Sequence, residues 1–411
     1  MDAPSDAERS RVEALRAQLP ATNSAVYLDA GGAGPVPTET LAAIRELEDF
    51  EMRVGRGTPD ARDELAGRLA EARAVVAAVL GSGVDSVALT HSATEALNVA
   101  AWSVDWRPGD GAVTTSLEHP GALAPLAAIR DRFGVEVHVA DVGDGGDDGG
   151  TLAAVEAAMT PRTRLVVASH VSWLNGAVLP VAEIAALARR RGAWMAVDGA
   201  QAAGAIPVAV DDVGADFYAT SSYKWLLGPA GMGALHVSMR ARADARRTFA
   251  GSANGDWTTH GLPAEPWHDA RRFDAAGFNL PLVAGFARGA GWLAMHVGLR
   301  WAHERSTRLA RGTAEELAAV PGVTVVTPRG RMATLVAFTV VGWTPEQVAE
   351  ALQRRVHAAV AVVEPIGAVR ASVAWFNTEA ELGQFVDAVA ELARQTPDSL
   401  RRLPGLTVLA E

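Results

Sequence analysis

The sequence has 411 residues, 49% hydrophobic and 21% charged, a composition typical of a globular protein with one large and one smaller domain. Its formal net charge of −11 disfavours binding to nucleic acid phosphates or anionic lipid, because like charges repel. The absence of cysteine excludes disulfide bonds, thiolate metal sites and a cysteine nucleophile. We therefore expect no nucleic acid partner, no membrane partner and no bound metal.

No segment of the sequence predicts a membrane span or a secretory leader. A membrane span needs roughly 18 uninterrupted apolar residues, and the apolar stretch 281–299 is interrupted by Arg288 and His296. The first six residues, Met-Asp-Ala-Pro-Ser-Asp, are acidic and polar, unlike a secretory leader. We therefore expect a cytoplasmic protein.

From residue 60 onward the sequence predicts helices that alternate with strands. Apolar residues at helical spacing predict helices over 64–80, from Thr94 onward, over 122–133 and over 181–191. Short runs of β-branched and apolar residues predict strands over 86–90, 112–116, 135–142, 164–169, 194–198, 217–220 and 233–237. Such strands are typical of an α/β fold with a mostly parallel sheet that helices cover on both faces.

The second half of the chain predicts a long loop followed by a smaller α+β unit. Residues 250–275 show no periodicity and predict a long irregular loop, while the Gly- and Asp-rich segment 144–150 predicts a solvated one. After residue 280 we predict a helix over 281–309, strands over 323–326, 334–339 and 369–373, and helices over 345–355 and 379–392. The predicted organisation is an N-terminal segment packing with the small domain (1–30), a large domain (31–280) and a small C-terminal domain (281–411).

Lysine occurs once in the sequence, at position 224, and every other residue in the Lys+Arg total of 37 is arginine. Arginine stays charged, whereas a desolvated lysine loses its proton and becomes an amine nucleophile. A GC-rich coding bias that removed lysines would also leave one by chance. Composition leaves both explanations open, so the residues around Lys224 and at the strand ends decide between them.

Polar groups follow several predicted strands at their C-terminal ends, where α/β sheets bind ligands. In the segment 90–98 a strand precedes a helix with small and hydroxyl residues in its first turn, so Thr94 and the N–H groups of Ala93 and Thr94 suit a phosphate. An ordinary Ser/Thr helix cap is the alternative. In the segment 116–121, His119 precedes Pro-Gly, and its ring either stacks on an aromatic cofactor or belongs to a surface loop.

Two further segments supply a carboxylate and the lysine. Asp198 ends a buried strand, where an unpaired carboxylate is costly, so it pairs with a cation such as a protonated pyridine nitrogen or caps the next loop. Gln201 can donate a hydrogen bond to a phenolic oxygen of the same cofactor. Lys224 lies between a strand and a Gly/Pro turn, where it can reach an aldehyde carbon while Ser221 and Tyr223 reach a phosphate.

Together these segments resemble the aminotransferase class V family of fold type I pyridoxal-phosphate (PLP) enzymes, a group with cysteine desulfurases, isopenicillin N epimerase and cyst(e)ine lyases. The resemblance covers nearly the whole chain, from segment 28–34 to the segment of Arg370. It is carried by Asp198-Gly-Ala-Gln201, Ser221-Ser-Tyr-Lys-Trp225 and Gly228-Pro-Ala-Gly231. The resemblance implies the fold type I PLP-transferase fold and pyridoxal 5'-phosphate as cofactor.

The same resemblance implies roles for individual residues. Lys224 forms a Schiff base with PLP, Asp198 pairs with the pyridine nitrogen, and His119 stacks on the ring. The other implied contacts are Gln201 to the phenolic oxygen, Ala93, Thr94 and Ser221 to the phosphate, Arg370 to the substrate α-carboxylate, and Asn175 and Gly32 to the substrate. The family usually has a histidine at the position of Tyr223, which leaves the role of Tyr223 at the phosphate open.

Within this family the sequence is most similar to the cyst(e)ine C–S lyases, through segments 90–106, 118–121, 169–173, 228–231 and 375–379. A cysteine desulfurase carries sulfur as a persulfide on its own cysteine, and this sequence has no cysteine. We expect β-elimination, in which Lys224 takes the Cα proton, a thiol or persulfide leaves Cβ, and pyruvate and ammonia are released. The alternatives are an epimerase like isopenicillin N epimerase, an aminotransferase and a non-catalytic binding module.

The implied substrate is a small amino acid, either free cystine or a cysteine thioether on a larger natural product. We expect specificity to come from a loop over 49–58, which contains Arg53 and Arg56, and from the loop over 250–275. Relatives are homodimers in which the second loop reaches the partner's active site. That resemblance implies a homodimer with Thr258 and Thr259 at the phosphate of the partner site.

Overall fold

The computed structural model describes residues 4–251, 254–256 and 265–396. The helices of this part are α1 Asp6–Arg16, α2 Thr38–Val54, α3 Pro59–Leu80, α4 Ala93–Trp102, α5 Pro120–Phe133, α6 Asp148–Ala158, α7 Val181–Arg190, α8 Val210–Val213, α9 Met239–Asp244, α10 Leu280–Trp292, α11 Leu299–Ala318, α12 Pro345–Val356 and α13 Glu379–Ala393. The strands of this part are β1 Val26–Tyr27, β2 Val87–Thr90, β3 Gly111–Thr115, β4 Glu136–Ala140, β5 Thr163–Ser169, β6 Trp194–Asp198, β7 Phe217–Ser221, β8 Gly233–Val237, β9 Gly255–Asp256, β10 Glu265–Pro266, β11 Val323–Val325, β12 Leu335–Val340, β13 Ala358–Ala359, β14 Ala361–Val363 and β15 Ala368–Ser372.

The larger sheet of the described residues has the strand order β2-β8-β7-β6-β5-β3-β4. Neighbours from β7 to β4 run parallel, while β8 is antiparallel to both β7 and β2. The α/β class with a mostly parallel sheet, predicted from the sequence, is confirmed. Because the strands β2 to β7 share one direction, their C-terminal ends meet at one edge of the sheet.

Helices bury both faces of this sheet. Alternate side chains of one strand point to opposite faces, and in β5 Val166 joins one apolar cluster while Leu165 and Val167 join another. The first cluster includes residues of α3 and α7, and the second includes residues of α4 and α5. The continuous apolar strands seen in the sequence follow from this two-sided burial.

A smaller antiparallel sheet, in the order β11-β12-β15-β14, lies in the C-terminal part of the described chain. Its apolar cluster includes Leu309 of α11, Leu352 of α12 and Phe385 of α13. The short N-terminal strand β1 pairs with β13 in parallel. The domain boundaries at residues 30 and 280 stay a prediction.

Several local predictions were wrong. Residues 49–54, expected to belong to a specificity loop, form the end of α2, which buries Ala43 and Leu47 and ends where Gly55 adopts a φ of 84°. The predicted loop over 144–150 ends at Asp147, whose side chain accepts a hydrogen bond from the N–H of Gly149 and caps α6.

The predicted single helix over 281–309 is divided in two. A π-helical segment, Leu293–Gly298, separates α10 from α11, and Gly298 has a φ of 82°. A positive φ interrupts a right-handed helix and is readily adopted by glycine. In the predicted irregular loop over 250–275, the described residues include the antiparallel pair of β9 and β10 and a 3₁₀ turn, Ala270–Phe273.

Within the described ranges, no helix is long and apolar enough to cross a membrane. The same residues contain no group of three or more His, Cys, Asp or Glu side chains placed to hold a metal ion.

Candidate active site

The predicted polar residues of the strand ends lie side by side at the C-terminal edge of the larger sheet. Ser169 at the end of β5 is the register partner of Asp198 at the end of β6, and Asp198 pairs in turn with Ala219 of β7. Ser221 ends β7, and Lys224 follows three residues later. Sequence segments that are far apart in the chain therefore supply one polar edge.

Lys224 lies on the loop after β7, which packs closely against the N-terminal segment. The N–H of Gly34 donates to the carbonyl of Tyr223 at 2.7 Å, and a Cβ atom on Gly34 would lie 2.1 Å from the carbonyl oxygen of Lys224. Burial lowers the pKa of the Lys224 ammonium, Arg370 lowers it further, and the charge of Asp198 acts in the opposite direction. A lowered pKa favours the neutral amine that imine formation requires.

Asp198, at the polar edge of the sheet, is a buried carboxylate that is 7% exposed. Its Oδ1 atom accepts a hydrogen bond from the N–H of Ala200 at 2.9 Å. The charge of Asp198 acts on Lys224 and raises the pKa of the buried Tyr218 hydroxyl after the larger effect of burial. A buried carboxylate with so few donors suits an additional cationic partner.

The imidazole ring of His119 is fixed in its neutral form. It caps the N-terminus of α5, and its Nδ1 atom accepts a hydrogen bond from the N–H of Gly121 at 2.9 Å, which leaves the ring proton on Nε2. Burial lowers the pKa of the His119 imidazole, and Lys224 lowers it further. The Trp173 ring packs against it in a T-shaped arrangement, with 5.0 Å between ring centroids.

The residues predicted to bind phosphate surround the start of α4. The N–H of Ala93 donates to the Ser221 hydroxyl at 3.0 Å, and Thr94 is exposed in the first turn of the helix. A Cβ atom on Gly121 would lie 2.5 Å from Thr94 Oγ1, so the turn after His119 closes one side of this region. Tyr223, two residues after Ser221, is half-buried, and burial raises the pKa of its hydroxyl.

Arg370, on β15, is a buried guanidinium with unused hydrogen-bonding capacity. It is 4% exposed, its Nη1 atom donates to the carbonyl of Trp173 at 2.5 Å, and its Nη2 atom lies 3.8 Å from Oδ1 of Asp29. Its Nε atom has no hydrogen-bond partner among the described residues. Burial lowers the pKa of Arg370, and the charge of Asp29 offsets part of that effect.

The remaining predicted residues bond to the protein itself. Gln201 donates to the carbonyl of Gly31 at 2.8 Å and accepts from the indole N–H of Trp225 at 2.9 Å. The N–H of Gly32 donates to Oδ1 of Asp29 at 3.1 Å. Asn175 donates to the carbonyl of Asp144 at 2.8 Å, an interaction that secures the loop before α6.

Three residues of this site were not singled out in the sequence: Asp29, Glu118 and Trp173. Each belongs to a segment that carries the family resemblance, and Glu118 directly precedes His119. Their positions relative to Asp198, His119 and Arg370 depend on tertiary contacts that a single sequence does not reveal.

The proposed specificity arginines bond within their own segment: Arg53 Nε donates to the carbonyl of Asp49 at 3.2 Å, and Arg56 Nε lies 2.9 Å from Oε2 of Glu51. Thr258 and Thr259 lie outside the described residues.

The model of the family described as aminotransferase class-V matches residues 26–385, most of the chain. The chain belongs to the aminotransferase class V family. Membership of this PLP-dependent family confirms both the resemblance read from the sequence and the cofactor predicted from it.

Relatives of this class V chain include cysteine desulfurases and a C–S lyase. A probable cysteine desulfurase of Methanothermobacter thermautotrophicus is 28% identical over 401 residues, which are 93% of this chain and 98% of the relative. A cysteine desulfurase of Klebsiella pneumoniae subsp. pneumoniae is 28% identical over 408 residues, with the same coverage of both chains. The solved complex of the cystine C–S lyase C-DES with its reaction product cysteine persulfide has a TM-score of 0.87 at 26% identity, and the match covers 91% of this chain and 99% of that one.

The chemistry of the site fits the PLP of this class V family. One amine of lowered pKa, one buried carboxylate and one imidazole of lowered pKa lie at a single sheet edge. At the start of α4, the exposed Thr94 and the Ser221 hydroxyl lie at the helix N-terminus, a region suited to a phosphate, and the N–H of Ala93 donates to Ser221 in this structure. The donor set therefore matches the aldehyde, the basic ring nitrogen, the ring face and the phosphate of the cofactor.

Proposed function

We propose that this protein is a PLP-dependent C–S lyase that catalyses β-elimination of cystine or of an S-substituted cysteine. The observation that carries the proposal is the placement of the sequence's single lysine, with a lowered pKa, at the sheet edge of Asp198 and beside Arg370, in a sequence without cysteine. The similarity to a cystine C–S lyase over 91% of the chain supports the same reaction class.

In this proposal the chain binds four parts of PLP: the ring nitrogen, the ring face, the aldehyde and the phosphate. Asp198 binds the protonated ring nitrogen, His119 covers the ring face and Gln201 donates to the phenolic oxygen. Ala93, Thr94 and Ser221 hold the phosphate at the start of α4, with Tyr223 at its edge. When bound, PLP supplies an electron sink that stabilises negative charge at Cα of an amino acid attached to it.

The chain's own residues then bind the substrate and move a proton. Arg370 holds the α-carboxylate through a charge-assisted hydrogen bond from its Nε atom, which has no partner in the described part of the chain. The neutral amine of Lys224 removes the Cα proton, and the sulfur group leaves Cβ. Gly32 and Asn175 stay proposed substrate neighbours. The other product, aminoacrylate, is released and hydrolyses to pyruvate and ammonia.

The names of the relatives make a cysteine desulfurase the obvious comparison. A desulfurase that stores sulfur as a persulfide on its own cysteine needs a cysteine, and this sequence contains none. We therefore propose that the sulfur leaves as part of a released product. For C-DES, cysteine persulfide is named as the reaction product. A cysteine thioether on a larger natural product is a second substrate class for the same chemistry.

The test uses the purified chain loaded with PLP and supplied with cystine or S-substituted cysteines. We expect pyruvate and ammonia in equal amounts, and no pyruvate from Lys224→Ala. Borohydride reduction followed by mass spectrometry provides a separate readout, because it fixes the cofactor on Lys224 whatever the substrate is.

The outcomes separate cofactor binding from the reaction. Cofactor fixed on Lys224 without pyruvate from any sulfur amino acid rejects the lyase. Exchange of Cα deuterium without pyruvate then indicates an epimerase, and accumulation of the pyridoxamine form indicates an aminotransferase. No cofactor fixed on Lys224 rejects the proposed site itself.

A further inference from the structure

A second buried carboxyl group lies behind the candidate site, on the residue before His119. Glu118 is 4% exposed and follows the C-terminal end of β3. Its Oε1 atom accepts from the Thr115 hydroxyl at 2.6 Å and from the N–H of Ser169 at 2.9 Å, and its Oε2 atom accepts from the Ser169 hydroxyl at 2.6 Å. Three donors directed at one carboxyl group favour its ionised form.

Ser169 connects this carboxyl group to Asp198. Ser169 bonds to Glu118 with both its backbone and its side chain, and it is the register partner of Asp198 on the neighbouring strand. Glu118 follows β3 and Asp198 ends β6, and β5, which ends at Ser169, lies between these two strands. Burial, and to a smaller extent the negative charge of Asp198, raises the pKa of Glu118 to about 7 despite the hydrogen bonds from Ser169 and Thr115.

The surroundings of Glu118 leave Asp198 as its electrostatic partner. Among the described residues, Asp198 is the charged group that acts on the Glu118 pKa. Thr115 and Ser169 contribute uncharged donors, and the adjacent His119 has a pKa lowered by burial. Two buried carboxylates repel each other, and Lys224 is the cation that acts on Asp198 in this structure. A further cation at Asp198 would stabilise both ionised groups.

We propose that Glu118 is a positioning residue that ionises when PLP binds and places a second negative charge behind Asp198, so that the proton stays on the cofactor's ring nitrogen. The inference rests on the proposed contact of Asp198 with that nitrogen. A ring nitrogen that keeps its proton is a stronger electron sink, so Glu118 tunes the reaction without touching the substrate. No mechanism step proposed above uses Glu118.

The experiment measures the binding of pyridoxine 5'-phosphate to the cofactor-free chain as a function of pH. This probe has the ring nitrogen and the phosphate but no aldehyde, so the ionisation of Lys224 for imine formation does not enter. Glu118→Gln removes the charge and keeps an oxygen for the Ser169 N–H. Asp216→Asn is the matched control, because Asp216 is also buried and bonds to a backbone N–H and a hydroxyl, at the opposite end of β6.

We expect Glu118→Gln to bind the probe as well as the wild type at about pH 5, and roughly tenfold more weakly at about pH 8. The reason is that wild-type Glu118 is protonated at the lower pH and ionised at the higher one. Asp216→Asn should differ from the wild type by the same factor at both pH values. Glu118→Asp, which keeps the charge, should restore the pH dependence.

A ratio of Glu118→Gln to wild-type affinity that does not change with pH would overturn the inference. If Glu118→Gln fails to fold, wild-type calorimetry in two buffers of different ionisation enthalpy decides: binding must release a proton from the chain near pH 7, and no release refutes the proposal. Failure of the wild type to bind the probe at any pH rejects the proposed cofactor site instead, so the two failures are distinguishable.

Discussion

Trp173 contacts both a proposed cofactor residue and the proposed substrate residue. Its ring makes a T-shaped contact with His119, and its carbonyl accepts the hydrogen bond from Nη1 of Arg370. Its indole N–H is buried and has no hydrogen-bond partner among the described residues. An unpaired buried donor costs about 1–3 kcal/mol, and an acceptor on a bound substrate would remove that cost.

We therefore predict that Trp173→Phe weakens the binding of amino acids to the PLP-loaded chain by roughly five- to tenfold, the loss of one hydrogen bond. Phenylalanine keeps an aromatic ring beside His119, and the backbone carbonyl that holds Arg370 is unchanged. Titration with glycine, followed by the absorbance of the bound cofactor, measures the dissociation constant. Thermal unfolding of the variant checks that its fold is intact.

Trp343→Phe is the matched control for this substitution. The indole N–H of Trp343 donates to the carbonyl of Leu392 at 3.0 Å, within the apolar cluster of the smaller sheet. This variant should lose stability and keep its affinity for glycine. Equal glycine affinity in Trp173→Phe and the wild type would show that the Trp173 N–H does not reach the substrate.

The loop that carries Lys224 depends on a close approach to the N-terminal segment. A Cβ atom on Gly34 would overlap the carbonyl oxygen of Lys224 at 2.1 Å and would also approach Leu227. Leu227 itself has a φ of 57°, an uncommon conformation for a residue with a side chain. Such strain persists where the surrounding packing fixes the backbone, so the loop has little freedom to move.

We expect Gly34→Ala to lose bound PLP, because the new methyl group must displace the backbone at Lys224. The cofactor content of the purified variant, measured after alkaline release, should fall to a small fraction of the wild-type value. Gly67→Ala is the control, since Gly67 lies in α3 and, apart from its own stretch of helix, no atom of the described residues lies within 4 Å of the added Cβ. Full cofactor occupancy in Gly34→Ala would mean that the loop accommodates the methyl group.

The sequence predicted those parts of the fold and site that depend on local patterns. The apolar strands and the polar residues directly after them gave the parallel sheet, Asp198, Ser221 and Lys224. Arg370 was found through the family resemblance, since no local pattern connects β15 with the strand ends of the larger sheet.

Other features depend on contacts or backbone geometry that the pattern does not contain. The charged end of α2 was predicted to be a loop. It continues a helix that is fixed earlier in its length by the buried Ala43 and Leu47. The apolar segment across Gly298 was predicted to be one helix, although the φ of Gly298 is positive and interrupts it. The contact of Trp173 with Arg370 joins residues 197 positions apart, which no spacing in the sequence indicates.

Buried histidines make the whole fold sensitive to acid. Burial lowers the pKa of His170, His236 and His303 to about 4 in each case, compared with 6.5 for a free histidine. Between these values the unfolded chain binds more protons than the folded chain, so these residues make the free energy of unfolding decrease as the pH falls from 6.5 towards 4. Glu118, with a pKa raised to about 7, acts in the opposite direction between pH 7 and 4.5. Among these four groups the three histidines outweigh the one glutamate, so together they lower the free energy of unfolding in acid.

His303→Gln should remove about a third of the histidine contribution, because one of three similar groups is lost. His303 is 7% exposed on α11, and burial is the main cause of its lowered pKa, with the backbone of Gly204 acting in the opposite direction. The measurement is urea unfolding of the cofactor-free chain at about pH 6.5 and about pH 4.5, compared between variant and wild type. His296→Gln serves as the control, since His296 is exposed on the π-helical segment. A drop in unfolding free energy that is the same in His303→Gln and wild type would show that His303 does not take up a proton on unfolding, and the acid sensitivity would then belong to other groups.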